Sequence, residues 1–317
     1  MKYFEMNALA LLIGFFMDIM IGDPEGWPHP VIWIGKFISR FERLLRARCS
    51  NLRRAAPLLT SATILIAMLA TAIVMYILSI IGKIPLLIGM SVCSWFCLSA
   101  RCLAKEASGV ERALRKSLED GRTRVGRIVG RDTSELSRDD VIRATVETVA
   151  ENTTDGVIAP MLYLFLGGPV LGLGFKAAST LDSMVGYLDE KYRDIGWSSA
   201  KLDDILNYVP ARICGLLMCI VSPLCGLDFK NAFRIMRRDH NNHLSPNCAW
   251  SEAAAAGALH IRLGGPHGYF GKVINKPYIG DYDRDIEPSD IDKTNKLMFA
   301  ASALFLAVLT IVGLIVI

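Results

Sequence analysis

The chain has 317 residues and a formal net charge of +4; 52% of its residues are hydrophobic and 21% charged. So much apolar residue, with a positive mean hydropathy, excludes an ordinary soluble domain and points to a membrane protein. Lys and Arg fall mainly in two segments rather than one patch, which excludes a nucleic-acid binder, and the eight cysteines include no C-x-x-C pair, which excludes a zinc site or a disulfide framework.

Segment 6–21 is apolar apart from Asn7 and Asp18 and ends at Gly22-Asp23-Pro24, a helix stop. It lacks a basic flank and a small-residue cleavage site, so it is expected to be a retained span. Segment 36–54 carries Lys36, Arg40, Arg43, Arg46, Arg48, Arg53 and Arg54 against Glu42 alone, and reads as a cytoplasmic loop. Segments 57–81 and 85–100 form a hairpin of two spans, which makes 101–155 cytoplasmic as well. There Leu103, Ala107, Val110, Leu114 and Leu118 make the stripe of an amphipathic helix ending at Gly121, and Ser137 with Asp140 caps a second helix reaching Asn152.

Segments 157–175 and 209–227 are apolar but interrupted by Pro160, Gly167, Gly168, Pro169, Gly172, Gly174, Pro210 and Pro223. Such breaks are tolerated at membrane depth only where protein or water satisfies the freed backbone, so each segment is expected either to span or to be re-entrant, with 176–208 as the loop between them. If both cross or neither does, 228–296 is cytoplasmic and 297–317 is a final span. The expected fold is a single integral-membrane domain over 1–317: all-α and polytopic, with broken or re-entrant helices and charged cytoplasmic helical loops.

Three constellations carry chemistry. Asp140, Arg143, Glu147 and Glu151 recur at helical spacing and run through Asn152 into Asp155; Glu147 and Glu151 suit a cation between them, the alternative being a solvated face neutralised by Arg143. Asp182, Asp203 and Asp204 follow, Asp182 being a metal candidate or a helix cap together with Thr180. The third group contains Arg234, Arg237, Arg238, Asp239, His240, Asn241, Asn242, His243, Ser245, Asn247 and Glu252, where arginines suit phosphate and His243 suits proton transfer. The glycine-rich stretch with Arg262, Gly264 and Gly265 suits backbone approach to phosphate but is not a Walker loop, since Pro266 stands where a glycine is required. Near the amino terminus, Asp23 and His29 are either turn residues or ligand contacts.

Gly22-Asp23-Pro24, His29-Pro30-Val31, Val129-Gly130-Arg131-Asp132, the run from Asp140 to Gly156, Thr180-Leu181-Asp182-Ser183-Met184, Asn207-Tyr208-Val209-Pro210-Ala211-Arg212, Arg238-Asp239-His240, Ser245-Pro246-Asn247, Leu263-Gly264-Gly265 and Lys276-Pro277 together resemble the adenosylcobinamide-phosphate synthases of cobalamin (vitamin B12) biosynthesis. The resemblance covers nearly the whole chain. It implies an ATP-dependent amide ligase of the inner membrane, its active site on the cytoplasmic side. The enzyme would join (R)-1-amino-2-propanol or its phosphate to adenosylcobyric acid, using ATP and Mg2+ as co-substrate and activator. The lipid bilayer and other cobalamin-assembly enzymes are the further partners it implies, with no nucleic acid.

For that activity the charges and spacings above, rather than the resemblance itself, suggest a metal set of Glu147, Glu151, Asp155 and Asp182. Arg131, Arg143, Arg238, Arg262, Gly264, Gly265 and Lys276 would hold nucleotide or phosphate. Asp23, His29, Asn152, Tyr187, Asn207, Arg212, His240, Ser245 and Asn247 would hold substrate, and Asp239, His243 or Glu151 would move the proton. Cys248-Ala249-Trp250 after Asn247 departs from the expected pattern, in which a residue such as glycine precedes the tryptophan. Two other readings remain open: a corrinoid transporter, favoured by the broken helices, and a prenyl- or phospho-transferase using aspartate-bound magnesium.

Overall fold

Helix α1 (Tyr3–Ile21) follows from its apolar run and stops at Gly22, whose φ of +68° disfavours any residue with a Cβ. The computed structural model describes residues 3–24, 26–130, 132–187, 189–265, 267–269, 272–274 and 277–315. Helix α2 (Pro30–Arg48) opens with His29 as its N-cap and Pro30 in the first turn, where a missing N–H leaves no bond unmade. The basic stretch expected as a loop is therefore largely helical. Ile34, Ile38, Phe41 and Leu45 recur at helical spacing beneath the arginines and pack with Leu59, Leu181 and Ile195.

Helices α3 (Leu52–Ile81) and α4 (Lys83–Cys97) form a hairpin about Gly82. At ~1.5 Å per residue α3 is longer than the ~30 Å hydrocarbon core. Its Leu65, Leu69 and Ile73, one turn apart, are each more than half exposed, an apolar stripe that only lipid can satisfy. Helices α5 (Ala100–Leu114), α6 (Leu118–Val125) and α7 (Arg138–Thr153) follow. Gly121 does not end a helix as expected: it lies inside α6, where a Cβ would come within 2.4 Å of Leu114. The cap at Ser137 is as the sequence reads, a capping box with Asp140.

Beyond α7 a π-helical turn (Thr154–Ile158) leads into α8 (Ala159–Val185). Then come α9 (Trp197–Val221), a 3-10 turn (Ser222–Cys225), α10 (Phe229–Asp239) and α11 (Cys248–Leu259). Short strands β1 (Leu263–Gly264), β2 (His267–Tyr269), β3 (Lys272–Ile274) and β4 (Tyr278–Ile279) pair antiparallel as β1 with β4 and β2 with β3 before α12 (Ser289–Ile315). The 176–208 stretch is thus helical at both ends. Thr180 caps nothing, its hydroxyl donating to the Lys176 carbonyl one turn back within α8. Among the described residues six helical stretches are long and apolar enough to cross a membrane: Tyr3–Ile21, Leu52–Ile81, Lys83–Leu114, Arg138–Val185, Trp197–Cys225 and Ser289–Ile315.

Pro57, Pro169 and Pro210 sit well inside α3, α8 and α9, and each leaves the carbonyl four residues earlier without its helical donor. In every case a side chain from a different helix supplies one. Trp197 Nε1 donates to Arg53 O at 2.8 Å below Pro57, Asn7 Nδ2 to Phe165 O at 3.0 Å below Pro169, and Tyr163 OH to Leu206 O at 2.8 Å below Pro210. The α8 break is the sharpest, because Gly167 and Gly168 leave helical geometry there (φ −132° and +60°). Where the break lies at membrane depth, as at the buried Asn7–Phe165 bond, such a cross-helix bond makes it tolerable.

The chain divides into two compact units. The first comprises residues 1–99, 159–207 and 306–317, and the second residues 100–158 and 208–305. In the first, α1 packs on α4 so closely that a Cβ at Gly14 would stand 2.5 Å from Ser94 Cβ, and α8 packs on α2, α3 and α4. In the second, the alanine-rich α11 lets α10 approach until a Cβ at Gly257 would lie 2.6 Å from the Asn231 carbonyl.

Candidate active site

In the second unit, the polar face of α7 is a ladder whose rungs hold other segments. Arg143 pairs with Asp140 and donates through Nε to Arg262 O at 3.3 Å. One turn on, Glu147 Oε1 accepts the Gly264 amide at 2.8 Å, and Glu151 Oε1 accepts the Cys248 thiol at 3.0 Å. Helix α7 therefore fixes the glycine-rich turn with its middle and the start of α11 with its last turn, while Asn152 donates back to Thr148 O. These residues share one face of α7, and Glu147 Oε1 is engaged by the Gly264 backbone amide.

Of the acids expected to share magnesium, Glu147, Glu151 and Asp155 belong to the second unit and Asp182 to the first. Among the described residues no three His, Cys, Asp or Glu side chains are grouped so as to hold a metal ion. What does gather is a set of carboxylates about Cys248. Burial, followed by the negative charges of Glu151, Glu252 and Asp155, pushes this thiol well above its ordinary value. These carboxylates fit the magnesium of a bound nucleotide, which takes one or two protein carboxylates and completes its shell with phosphate and water. Glu252, which the sequence grouped with the third constellation without giving it a role, is the one charged residue of α11 and is buried.

The glycine turn is braced from its far side. Asp239 accepts Arg238 through both oxygens at 2.7 and 2.8 Å, and also the Gly280 amide at 2.7 Å. Arg238 and Arg234 then share Asp281 at 2.7 and 2.5 Å, their hydrogen bonds holding its carboxyl below the ordinary range. An aspartate so engaged is an anchor, which argues against its expected use as a base. Gly264 and Gly265 have φ of +70° and +90°, and a Cβ on Gly265 would meet the Tyr278 ring at 2.3 Å. The Arg262 guanidinium lies over Tyr278 and Tyr282 at 4.1 and 5.1 Å.

His243 Nδ1 accepts the Ser245 amide at 3.0 Å, so in the neutral ring the proton resides on Nε2 and His243 presents a donor, not the base expected of it. Ser245 Oγ accepts the Asn247 amide at 3.3 Å. His240 packs against Trp250 at 4.3 Å, with Arg212 over the same indole at 4.8 Å and over Tyr208 at 3.4 Å. This cationic and aromatic wall brings His240 and Arg212 together, with Trp250 an addition the sequence did not single out.

In the first unit, Asn207 is buried and donates to Asp203 at 2.9 Å, and Tyr187 packs against Tyr192. Asp182 lies over Gly186, where a Cβ would stand 2.0 Å from its Oδ1. Asp23 and His29 face each other at 4.0 Å. Arg131 and Lys276, expected at phosphate, lie outside the described residues.

Six bilayer-length helical stretches among the described residues define a multi-pass membrane protein. The sequence profile of the CobD/CbiB protein family matches residues 11–298. The chain is 49% identical over 306 residues to the cobalamin biosynthesis protein CobD of Citrobacter koseri, covering 95% of this chain and 96% of that one. It is 48% identical over 309 residues to the cobalamin biosynthesis protein CbiB of Salmonella typhimurium, covering 96% and 97%. It is 46% identical over 306 residues to the CobD protein of Klebsiella pneumoniae, covering 95% and 96%. No solved structure matches. The chain belongs to the CobD/CbiB family of cobalamin biosynthesis.

Proposed function

We propose that the protein is an ATP-dependent amide ligase that joins (R)-1-amino-2-propanol or its O-phosphate to a carboxylate of adenosylcobyric acid, giving adenosylcobinamide or its phosphate. The observation that carries the reading is the near full-length likeness to proteins of cobalamin biosynthesis in a chain whose second unit gathers carboxylates beside a braced glycine turn.

A carboxylate and an amine do not condense at neutral pH without activation. A corrinoid carboxylate oxygen attacks the γ-phosphorus of ATP and ADP departs, leaving an acyl phosphate. The amine nitrogen then attacks the acyl carbon, and phosphate leaves as the nitrogen sheds its proton. Magnesium, when bound with the nucleotide, supplies charge neutralisation at the phosphates, with Asp155 and Glu252 as its protein carboxylates. Arg262 and the Gly264–Gly265 turn bind phosphate oxygens, and Arg143 and Glu147 hold that turn in register. Glu151 accepts the amine proton, His243 Nε2–H donates to a substrate oxygen, and Arg212, His240 and Trp250 take the corrinoid periphery. The basic residues from Lys36 to Arg54 support an inner-membrane orientation with their segment in the cytoplasm.

Protein in nanodiscs, supplied with adenosylcobyric acid, ATP, magnesium and either amine, is expected to form the amide and release ADP in equal amount. Corrinoid uptake into sealed vesicles without amide formation would support the transporter reading instead.

A further inference from the structure

In the first unit, outside the acids and arginines that serve the chemistry above, three ionisable side chains come together where α1 ends. Asp23 follows the stop of α1, and His29 caps α2, its Nδ1 accepting the Val31 amide at 3.2 Å. The neutral His29 ring therefore carries its proton on Nε2, the nitrogen that faces Asp23 Oδ1 at 4.0 Å. That separation is too long for a hydrogen bond, and Oδ1 is enclosed with no hydrogen-bond partner among the described residues. The Asp23 side chain as a whole is nevertheless 30% exposed and that of His29 20%.

Lys176 is the third member, and helix geometry places it there. Gly172, Lys176, Thr180 and Met184 follow one another at one-turn spacing along α8. At the ends of that stripe, a Cβ on Gly172 would contact Cys97 Sγ at 3.5 Å, and a Cβ on Gly35 would contact Met184 Sδ at 3.3 Å. Lys176 thus lies between the end of α4 and the first turns of α2, where Asp23 and His29 are. Its positive charge acts on both: it lowers the proton affinity of Asp23, which burial raises, and adds to the burial that lowers that of His29. An ammonium among apolar helices is costly unless it serves an anion.

One wall is aromatic. His29 meets Phe96 at 4.9 Å, Phe96 stacks on Trp95 at 4.9 Å, and Trp27 meets Trp95 edge-on at 6.2 Å. Trp95 is fixed by donating to Gly22 O at 2.9 Å, so the wall is tied to the same turn that carries Asp23.

We propose that Asp23, His29 and Lys176 form the pocket for a short zwitterion with an ammonium at one end and a phosphate at the other, the ammonium against the Asp23 carboxylate and the phosphate against His29 Nε2–H and Lys176. The arrangement offers one acceptor edge, two donors of which one is cationic, and an aromatic side suited to an ammonium. The identity of the ligand as the phosphorylated amine donor rests on the ligase reading; the pocket itself does not. Lys176 is a binding residue that the sequence alone did not single out.

The test is calorimetric titration of full-length protein in nanodiscs with aminopropanol phosphate, inorganic phosphate and aminopropanol, using wild type, Asp23→Asn and Lys176→Gln, with each variant's melting curve confirming its fold. The proposal expects at least a tenfold rise in Kd for aminopropanol phosphate in both variants. It further expects phosphate to compete in wild type and Asp23→Asn but not in Lys176→Gln, and aminopropanol to lose its weak binding in Asp23→Asn. Equal affinity in all three proteins overturns it, as does loss confined to Lys176→Gln with phosphate binding as well as the zwitterion, which marks a simple anion site. Amide formation with an unchanged KM for the amine in both variants sinks the pocket and leaves the ligase standing. Zwitterion binding with the expected dependence in a protein that forms no amide sinks the ligase and leaves the pocket.

Discussion

The Asn7 side chain of α1 donates to the Phe165 carbonyl of α8 at 3.0 Å, and that carbonyl is the one Pro169 deprives of its helical donor. The pair ties the first helix to the break in the eighth, in a region where water cannot act as substitute. Replacing Asn7 by Leu leaves a buried acceptor unmet, at about 1–3 kcal/mol. The expected outcome is a lower melting temperature in detergent, whereas Asn7→Gln retains part of the loss through its longer amide.

Trp197 and Pro57 offer a cleaner form of the same relation, since α3 stays helical through its proline. Trp197→Phe should cost about 1 kcal/mol for the lost indole hydrogen bond. In a Pro57→Ala background the amide of residue 57 returns to the Arg53 carbonyl, and the cost of Trp197→Phe should fall. A double-mutant cycle on thermal stability measures that coupling.

Glu147 and Glu151 lie one turn apart on α7 yet should respond differently. Glu147 needs only an acceptor for the Gly264 amide, so Glu147→Gln is expected to keep most of the ligase activity, while Glu147→Ala releases the turn and raises the KM for ATP. Glu151→Gln removes the proton acceptor and should lower kcat more than tenfold. Steady-state kinetics of the three variants distinguish a positioning role for Glu147 from a magnesium ligand, for which the Gln variant would fail as badly as the Ala variant.

Cys248 should be slow to alkylate at pH 8, because burial and then the charges of Glu151, Glu252 and Asp155 suppress the thiolate. Glu151→Gln removes one of those charges and should speed its labelling, read peptide by peptide by mass spectrometry against Cys49 and Cys102.

The brace behind the glycine turn carries an acid dependence. Asp281 is held below the ordinary aspartate value by Arg234 and then Arg238. Its contribution is present above about pH 4 and is lost as pH falls through the lowered value in the folded protein. Melting temperature against pH should therefore fall less steeply on the acid side in Asp281→Asn than in wild type.

Much of this fold is visible in the residues. The apolar runs around Leu65 and Leu306 give spans, and Ser137 with Asp140 gives a cap, because both signals are local. The helix from Pro30 to Arg48 was hidden: its buried stripe at Ile34, Ile38, Phe41 and Leu45 is thin, and the arginines around it dominate the composition. Gly121 misled because a glycine beside an apolar stripe serves equally as a helix end or as a place for a leucine to pack. At the site, spacing grouped Arg143, Glu147 and Glu151 correctly on one face but gave no sign that their partners are Arg262, Gly264 and Cys248, more than 90 residues away in sequence. Lys176, which we place with Asp23 and His29, was not singled out because its approach to them depends on how α8 packs on α2 and α4.

The most direct test of the ligase account follows the oxygen atoms. Adenosylcobyric acid bearing oxygen-18 in its reacting carboxylate is turned over with ATP, magnesium and aminopropanol phosphate, and the released phosphate is analysed by mass. An acyl phosphate requires one labelled oxygen to appear in inorganic phosphate for each amide formed, with the other retained in the amide. Amide formation with unlabelled phosphate, or corrinoid handling with no amide at all, would contradict the account.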